Sequence, residues 1–244
     1  METALPSLTF LRARPVSCQH CCMGEFCATD LKSLLKSRTM KVAKGECLFV
    51  AGDACRELYA VHRGTFKSLR VDEEGREVIC GFGLAGDLLG LEALADGRHS
   101  GDAVALEDSE VCVLPCAQLD AAIEREPRVQ KELCRMLAVE LRDRQALGAV
   151  LATQGAERRV GAFLAELSRR VAERGQDGAR LRLPMSRPDI ASYLALTPET
   201  VSRAFTRLEE AGAIEVSARS VTILDAARLG GKLTAVSLVR RAAR

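Results

Sequence analysis

The feature that most limits the fold of this 244-residue chain is a change of hydrophobic pattern near Leu119. From Thr39 to about Leu119, glycines separate short apolar stretches, a pattern that favours strands of about 4–6 residues joined by tight turns. The clearest stretches are CLFVAG, LYAVHRG, TFKSLRVD, EVICGFGLAG, AVALE and EVCVLP. Short strands at this spacing predict a β-sandwich or a jelly roll.

The pattern after Leu119 is helical and continues to Thr153. Its apolar residues recur mostly at three- and four-residue steps; they are Val129, Leu133, Met136, Leu137, Leu141, Leu147 and Leu151. A helix of about 25 residues is long for a compact domain, and an apolar stripe that its own domain cannot cover predicts pairing with a second copy. We therefore predict a homodimer through this helix. The alternative is a linker helix docked on its own domain.

The chain after residue 155 has the pattern of a winged helix-turn-helix. An amphipathic helix within 156–176 precedes two helices in tandem, the first capped by Ser186 and the second by Thr197. In the second, TPETVSRAFTRLEEAG, Gly212 is the predicted stop. The segment 213–224 follows as a two-stranded hairpin, the wing. A helix with one apolar face and polar residues near its N-terminal end suits the major groove of DNA.

Base-edge chemistry assigns roles on this helix. Arg203 can donate two bonds to guanine and Glu199 can accept one from cytosine, so the pair can read neighbouring base pairs. Ser202 can contact a base edge or a phosphate, and we include Thr197 and Thr200 as further DNA contacts. Residues 156–244 carry 16 Lys and Arg against 10 Asp and Glu. This basic surplus favours a polyanionic partner, double-stranded DNA.

Ten cysteines are many for a chain without a secretory signal, and four lie in SCQHCCMGEFC, residues 17–27. Reduced thiols at this density indicate metal or redox chemistry. Four thiolates suit a cubane iron–sulfur cluster, whereas four thiolates, or three with His20, suit tetrahedral zinc. Composition does not separate the two. No apolar run approaches the roughly 18–20 residues that cross a bilayer, so we expect a cytoplasmic protein with no membrane partner.

These residues together resemble the Crp/Fnr transcription regulators, and within them the oxygen-sensing fumarate and nitrate reductase regulators. The resemblance extends from about Ser17 to Leu224 and rests on Cys18-x2-Cys21-x5-Cys27, LYAVHRGTFKS, GFGLAGDLLG, EVCVLP and TPETVSRAFTRLEEAG. It implies an α+β fold: a cyclic-nucleotide-binding-like β jelly roll, a long dimerisation helix and a winged helix-turn-helix. The corresponding segments are a cysteine-rich segment 1–28, a sensor domain 29–122, a dimerisation helix 123–155, a DNA-binding domain 156–229 and a basic tail 230–244.

The resemblance also implies a site and a function. An oxygen-labile [4Fe–4S] cluster would be held by Cys18, Cys21, Cys27 and Cys112; Cys112 rather than Cys116 is selected by the matching flanks Val-Cys-Val-Leu-Pro. The cluster, intact without oxygen, would promote dimerisation and binding to TTGAT-like inverted repeats, with RNA polymerase as a further partner. The protein would act as an activator of genes for anaerobic metabolism.

One position departs from the subgroup. Its sensors commonly carry an acidic residue on the dimer helix, whose repulsion keeps the apoprotein monomeric, where this chain has Arg144. Arginines facing each other would repel as well; alternatively Asp143 supplies the repulsion, or the protein dimerises more readily in air. The predicted dimerisation residues are Met136, Leu137, Leu141, Arg144 and Leu147.

Two other functions compete with this interpretation. A cyclic-nucleotide-responsive regulator needs an Arg-Ser pair to bind phosphate, and this chain has His99-Ser100, so no cyclic nucleotide is expected. An enzyme is not expected either, because G-x-S-x-G, P-loop and H-E-x-x-H motifs are missing from the sequence. A zinc-stapled thiol redox sensor stays open as an alternative.

Overall fold

Two antiparallel four-stranded sheets form the first half of the computed structural model, which describes residues 38–153 and 155–229. Their order is β1-β8-β3-β6 and β2-β7-β4-β5. The strands are β1 Arg38–Val42, β2 Cys47–Phe49, β3 Glu57–Arg63, β4 Thr65–Val71, β5 Glu77–Leu84, β6 Leu88–Leu89, β7 Asp102–Ala105 and β8 Ser109–Pro115. The predicted jelly-roll half is thus confirmed, and β1 and β6 are strands that the sequence pattern did not separate.

Alternation along β8 distributes its side chains between two environments. Val111 and Val113 are fully buried in the core between the sheets, with Phe66. Leu114 packs instead into a second apolar cluster on the other face, and Cys112 lies against that cluster. Since side chains alternate along a strand, β8 joins the inside of the β domain to the helices outside it.

Two helices, not one, follow the sheets: α1 Cys116–Arg125 and α2 Pro127–Thr153. The break falls at Glu126, which has an extended backbone (φ −128°, ψ 100°). A residue before proline is disfavoured in the helical region, and Pro127 is well placed to begin the next helix. The long helix therefore begins four residues after the predicted boundary at 123.

The C-terminal half comprises α3 Ala156–Glu173, β9 Arg180–Arg182, α4 Arg187–Leu194, α5 Pro198–Glu210, β10 Ile214–Ser217 and β11 Ser220–Ile223. The predicted two-stranded wing is incomplete, because β9 also pairs with β11 and makes a three-stranded antiparallel sheet. Within the described residues, no helix has the length and apolar character needed to span a bilayer. The predicted basic tail, 230–244, lies outside the described residues.

Candidate nucleic-acid interface and cysteine site

Helix α5 separates an apolar face from a polar one. Val201, Ala204, Phe205 and Leu208 are buried in the core of the winged domain. The opposite face is solvent-exposed and carries Glu199, Ser202, Arg203 and Thr206. This arrangement agrees with the predicted helix, and it leaves the polar side chains available to a ligand.

The first turn of α5 is ordered by its own side chains. The Thr197 hydroxyl accepts a hydrogen bond from the Thr200 N–H at 3.3 Å and lies 3.0 Å from the Thr200 hydroxyl. Arg203 donates to that same hydroxyl at 3.4 Å, and the Ser202 hydroxyl donates to the Pro198 carbonyl at 2.9 Å. The structure thus brings the predicted DNA-binding residues together within the first two turns of α5.

Electrostatics at this end of α5 favour an ionised Glu199. Its own backbone N–H, the Thr197 hydroxyl and the nearby Arg203 charge hold the pKa of the Glu199 carboxyl below its usual range. A carboxylate can only accept hydrogen bonds, which is the role required for contact with a cytosine amino group.

Helix α4 and the turn after it set the position of α5. The predicted capping box is present: the Ser186 hydroxyl accepts from the Asp189 N–H and the Asp189 carboxylate accepts from the Ser186 N–H. The guanidinium of Arg187 lies 3.5 Å above the centre of the Phe205 ring, a cation–π contact that ties α4 to α5. Arg159 from α3 donates to the Leu194 carbonyl at 3.0 Å and so supports the turn.

The winged domain is packed against β4 and β5 of the β domain. Lys67 donates to the Asp189 carboxylate at 3.0 Å, and the Ile79 N–H donates to the Ser192 hydroxyl at 2.9 Å. Phe82 makes edge contacts with Phe163 and Tyr193, with ring centres 6.0 and 5.2 Å away. Arg170 of α3 and Arg174, the residue that follows α3, both pair with Asp87. None of these contacts was anticipated, because sequence spacing does not reveal which surfaces of two domains meet.

The predicted dimerisation residues do not share one environment on α2. Met136 is buried against α1 and the β domain, and Leu147 packs against the core of the winged domain. Leu137 and Leu141 are 40% and 60% exposed and lie one turn apart. Part of the predicted stripe is therefore covered by the chain itself, and the exposed part centres on these two leucines.

Arg144 makes its contacts within its own subunit. Its guanidinium donates to the Glu140 carboxylate at 2.8 Å and to the Cys80 carbonyl on β5. Burial opposes the charge, but Glu140 outweighs it and keeps the pKa of Arg144 raised, so the side chain stays a cation. Repulsion between two copies of Arg144 stays a prediction.

Cys112 is the predicted cluster ligand that lies within the described residues; Cys18, Cys21 and Cys27 lie outside them. It is half-buried on β8, where it is paired in register with Thr39 of β1 and Ala60 of β3. In the part of the chain that the structure describes, no three His, Cys, Asp or Glu side chains come together to hold a metal ion. The other three predicted ligands all precede residue 38, so the ligand set stays a prediction.

The region that would serve a cyclic nucleotide has a different chemistry. His99 is buried, its ring is stacked on Phe49 with centres 3.8 Å apart, and its Nδ1 lies 3.2 Å from a Glu92 oxygen. The nearby surface cleft is lined by the charged residues Asp53, Arg56 and Glu57. That the protein binds no cyclic nucleotide stays a prediction.

Two family models cover most of the described chain. Residues 39–126 match the cyclic nucleotide-binding domain, and residues 158–231 match the Crp-like helix-turn-helix domain.

Whole-chain relatives agree with these domains. The chain is 38% identical over 216 residues to the fumarate and nitrate reduction regulatory proteins of Escherichia coli (strain K12) and Salmonella typhimurium, covering 85% of this chain and 86% of each relative. The solved structure of FixK2 from Bradyrhizobium japonicum is 32% identical and superposes with a TM-score of 0.72, covering 79% of this chain and 95% of that one. The Thermus thermophilus CRP-family regulator TTHB099 is 25% identical, with a TM-score of 0.60 over 78% and 94%.

These relatives are transcription regulators and not enzymes, as predicted. The exposed polar turn of α5, the winged domain that carries it and the jelly roll beneath it are thus parts of one known architecture, and the chain belongs to the Crp/Fnr family of DNA-binding transcription regulators, in which it is similar to the fumarate and nitrate reduction regulatory proteins.

Proposed function

We propose that the protein is a cytoplasmic, oxygen-responsive activator of genes for anaerobic metabolism. In this proposal Cys18, Cys21, Cys27 and Cys112 hold a [4Fe–4S] cluster, and the chain binds TTGAT-like inverted repeats as a homodimer together with RNA polymerase. When bound, such a cluster supplies iron–thiolate chemistry that oxygen can dismantle.

The observation that carries the proposal is the position of Cys112 beside the start of the described chain. Thr39 is directly opposite Cys112 in the β1–β8 pairing. Cys27 precedes Thr39 by 12 residues. At about 3.3–3.6 Å per residue, a chain of that length spans up to roughly 40 Å, so the N-terminal cysteines are within reach of the Cys112 thiol.

Cys112 also lies close enough to α2 for binding or loss of a cluster to affect the packing of that helix. Its side chain packs against the apolar cluster that contains Met136, and Leu133 of α2 packs against the same cluster. Leu137 follows Met136 directly, and Leu141 lies one turn beyond it. A cysteine-rich segment fastened at Cys112 would therefore lie close to the part of α2 that precedes its exposed leucines. A tenfold shift in dimerisation needs only about 1.4 kcal/mol of coupling.

A dimer would place two copies of α5 so that both can bind one DNA site. Two helix-turn-helix units read half-sites about one turn of DNA apart, roughly 34 Å, when a two-fold axis relates them. In each unit Arg203 donates to a guanine and the ionised Glu199 accepts from a cytosine. The first two turns of α5, ordered by hydrogen bonds of Thr197 and Thr200, carry both residues on the exposed face.

The test is purification of the full chain without oxygen, followed by measurement of absorbance, iron and acid-labile sulfide. We expect a brown protein with about four irons per chain, which bleaches in air as its affinity for an inverted-repeat DNA falls. Cys112→Ser should lose most of the iron. The matched control is Cys134→Ser, since Cys134 is an exposed thiol on α2. A colourless protein with one zinc, or a Cys112→Ser protein that keeps its iron and its oxygen response, would overturn the proposal.

A further inference from the structure

A second pair of cysteines, outside the predicted ligand set, lies at the junction between the β domain and α1. The Sγ atoms of Cys55 and Cys116 are 3.4 Å apart, although the two residues are 61 positions apart in the sequence. Cys55 precedes β3, and Cys116 is the first residue of α1. Two thiols at hydrogen-bond distance have the spacing from which a disulfide can form.

The backbone on both sides holds this spacing. The Cys116 N–H donates to the Arg56 carbonyl at 2.9 Å, and the Cys55 N–H donates to the Gly97 carbonyl at 2.8 Å. Both cysteines are half-buried and pack against an apolar cluster that includes Leu119. The sulfurs are thus positioned by backbone hydrogen bonds, and closing the gap to a bond of about 2.05 Å needs a small displacement.

Ionisation of the Cys116 thiol is disfavoured. Burial raises the pKa of Cys116 to about 12, and its hydrogen bond with Cys55 and the charges of Asp120 and Glu57 act in the same direction. Because a peroxide reacts with the thiolate form, burial slows oxidation at the Cys116 sulfur.

We propose that Cys55 and Cys116 form a reversible disulfide in response to a peroxide, at a site separate from the N-terminal cysteines. In the first step one of the two thiols and hydrogen peroxide give a sulfenic acid and water. In the second, the other sulfur attacks the sulfenic sulfur, the hydroxyl leaves, and the proton of the attacking thiol joins it as a second water. Both sulfurs are oxidised and one peroxide is reduced; two equivalents of an external thiol return the pair to its original state.

The consequence for the fold is a cross-link between the segment before β3 and the first turn of α1. It closes a long loop and so restricts the unfolded chain more than the folded one, which stabilises the β domain. We expect the melting temperature of the oxidised protein to rise by roughly 5 °C or more. Since α1 packs against α2, this cross-link also fixes the support on which the long helix begins.

The experiment treats the full chain with hydrogen peroxide, blocks the remaining thiols with N-ethylmaleimide and digests it with trypsin without reduction. Cleavage after Lys44, Arg56, Arg98 and Arg125 puts Cys55 in peptide 45–56 and Cys116 in peptide 99–125. We expect these two peptides to be linked, and dithiothreitol to separate them. Each peptide holds a second cysteine, Cys47 or Cys112, so the assignment is made with variants.

Cys55→Ala and Cys116→Ala should each abolish the link and the rise in melting temperature, whereas Cys134→Ser should retain both. The proposal is overturned if both thiols of the wild-type protein are recovered fully alkylated, or if the linked peptides persist in either alanine variant. Iron-loaded and iron-free protein are tested in parallel. Because the disulfide needs no N-terminal ligand, a link in both preparations supports this site even if the protein proves to hold no cluster.

Discussion

Helices α2 and α5 are both amphipathic, and they differ in what covers their apolar faces. In α5 the whole stripe, Val201, Phe205 and Leu208, is buried in the winged domain. In α2 the stripe is divided: Met136 is buried against its own subunit, while Leu141 is 60% exposed. Because the apolar face of α5 is fully buried, its polar face is the part available to bind a ligand. Because the apolar face of α2 is only partly buried, the exposed part of that face is available to bind a second protein surface.

The largest expected effect comes from breaking the exposed face of α2 with Leu141→Glu. Burial of a leucine contributes about 1.5–3 kcal/mol, and a symmetric dimer buries each residue twice. We expect the dimer dissociation constant to rise at least about 100-fold, with dimer-dependent DNA binding lost in parallel. Sedimentation of the protein in its dimer-forming state measures this.

The control for that substitution is Leu224→Glu, because Leu224 is 59% exposed and lies outside α2. Both variants should change the stability of the monomer by no more than about 0.5 kcal/mol, as is usual at exposed sites. Equal dimer affinity for Leu141→Glu and wild type would show that α2 does not form the interface.

The contrast between the helices also explains how much the sequence could predict. Ser186, Asp189, Thr197 and Gly212 act within a few residues of themselves, so their capping roles were predicted and confirmed. A stripe of apolar residues shows which face avoids water, but not what covers it. Met136 and Leu147 therefore could not be distinguished from Leu141 before the packing was known.

For a related reason, the sequence did not predict the strands and contacts that depend on a residue far away in the chain. Strand β9 is three residues long, RLR, and exists through its pairing with β11. The Cys55–Cys116 contact and the Lys67–Asp189 ion pair each join residues more than 60 positions apart. Spacing along the chain carries no signal for such contacts. The ligand role of Cys112 came from its resemblance to a family, and the structure adds its position beside Thr39.

The polar face of α5 is tested by Arg203→Ala. If Arg203 reads a guanine, its loss costs about 1–3 kcal/mol and relaxes base preference at one position in each half-site. Binding is measured against operators that vary at each position, at one fixed salt concentration. Arg207→Ala is the control, because Arg207 is exposed and lies three positions before the end of the same helix. An equal loss against every operator would assign Arg203 to the phosphates instead.

The smallest expected effect concerns Asp189 of α4, the helix that positions α5. It is measured as a change with pH in the free energy of unfolding. Asp189 accepts hydrogen bonds from Ser186 and Lys67, and these outweigh burial and hold the pKa of its carboxyl below the ordinary value. A carboxyl with a lowered pKa stabilises the folded state above its unfolded pKa, about 3.9, and this contribution is lost as the pH falls through the folded pKa. Asp189→Asn should therefore lower the free energy of unfolding by about 1 kcal/mol at pH 7, and by less below pH 4. Urea denaturation at both pH values measures the difference; a difference that does not shrink in acid would show that the charge of Asp189 is not what joins α4 to the β domain.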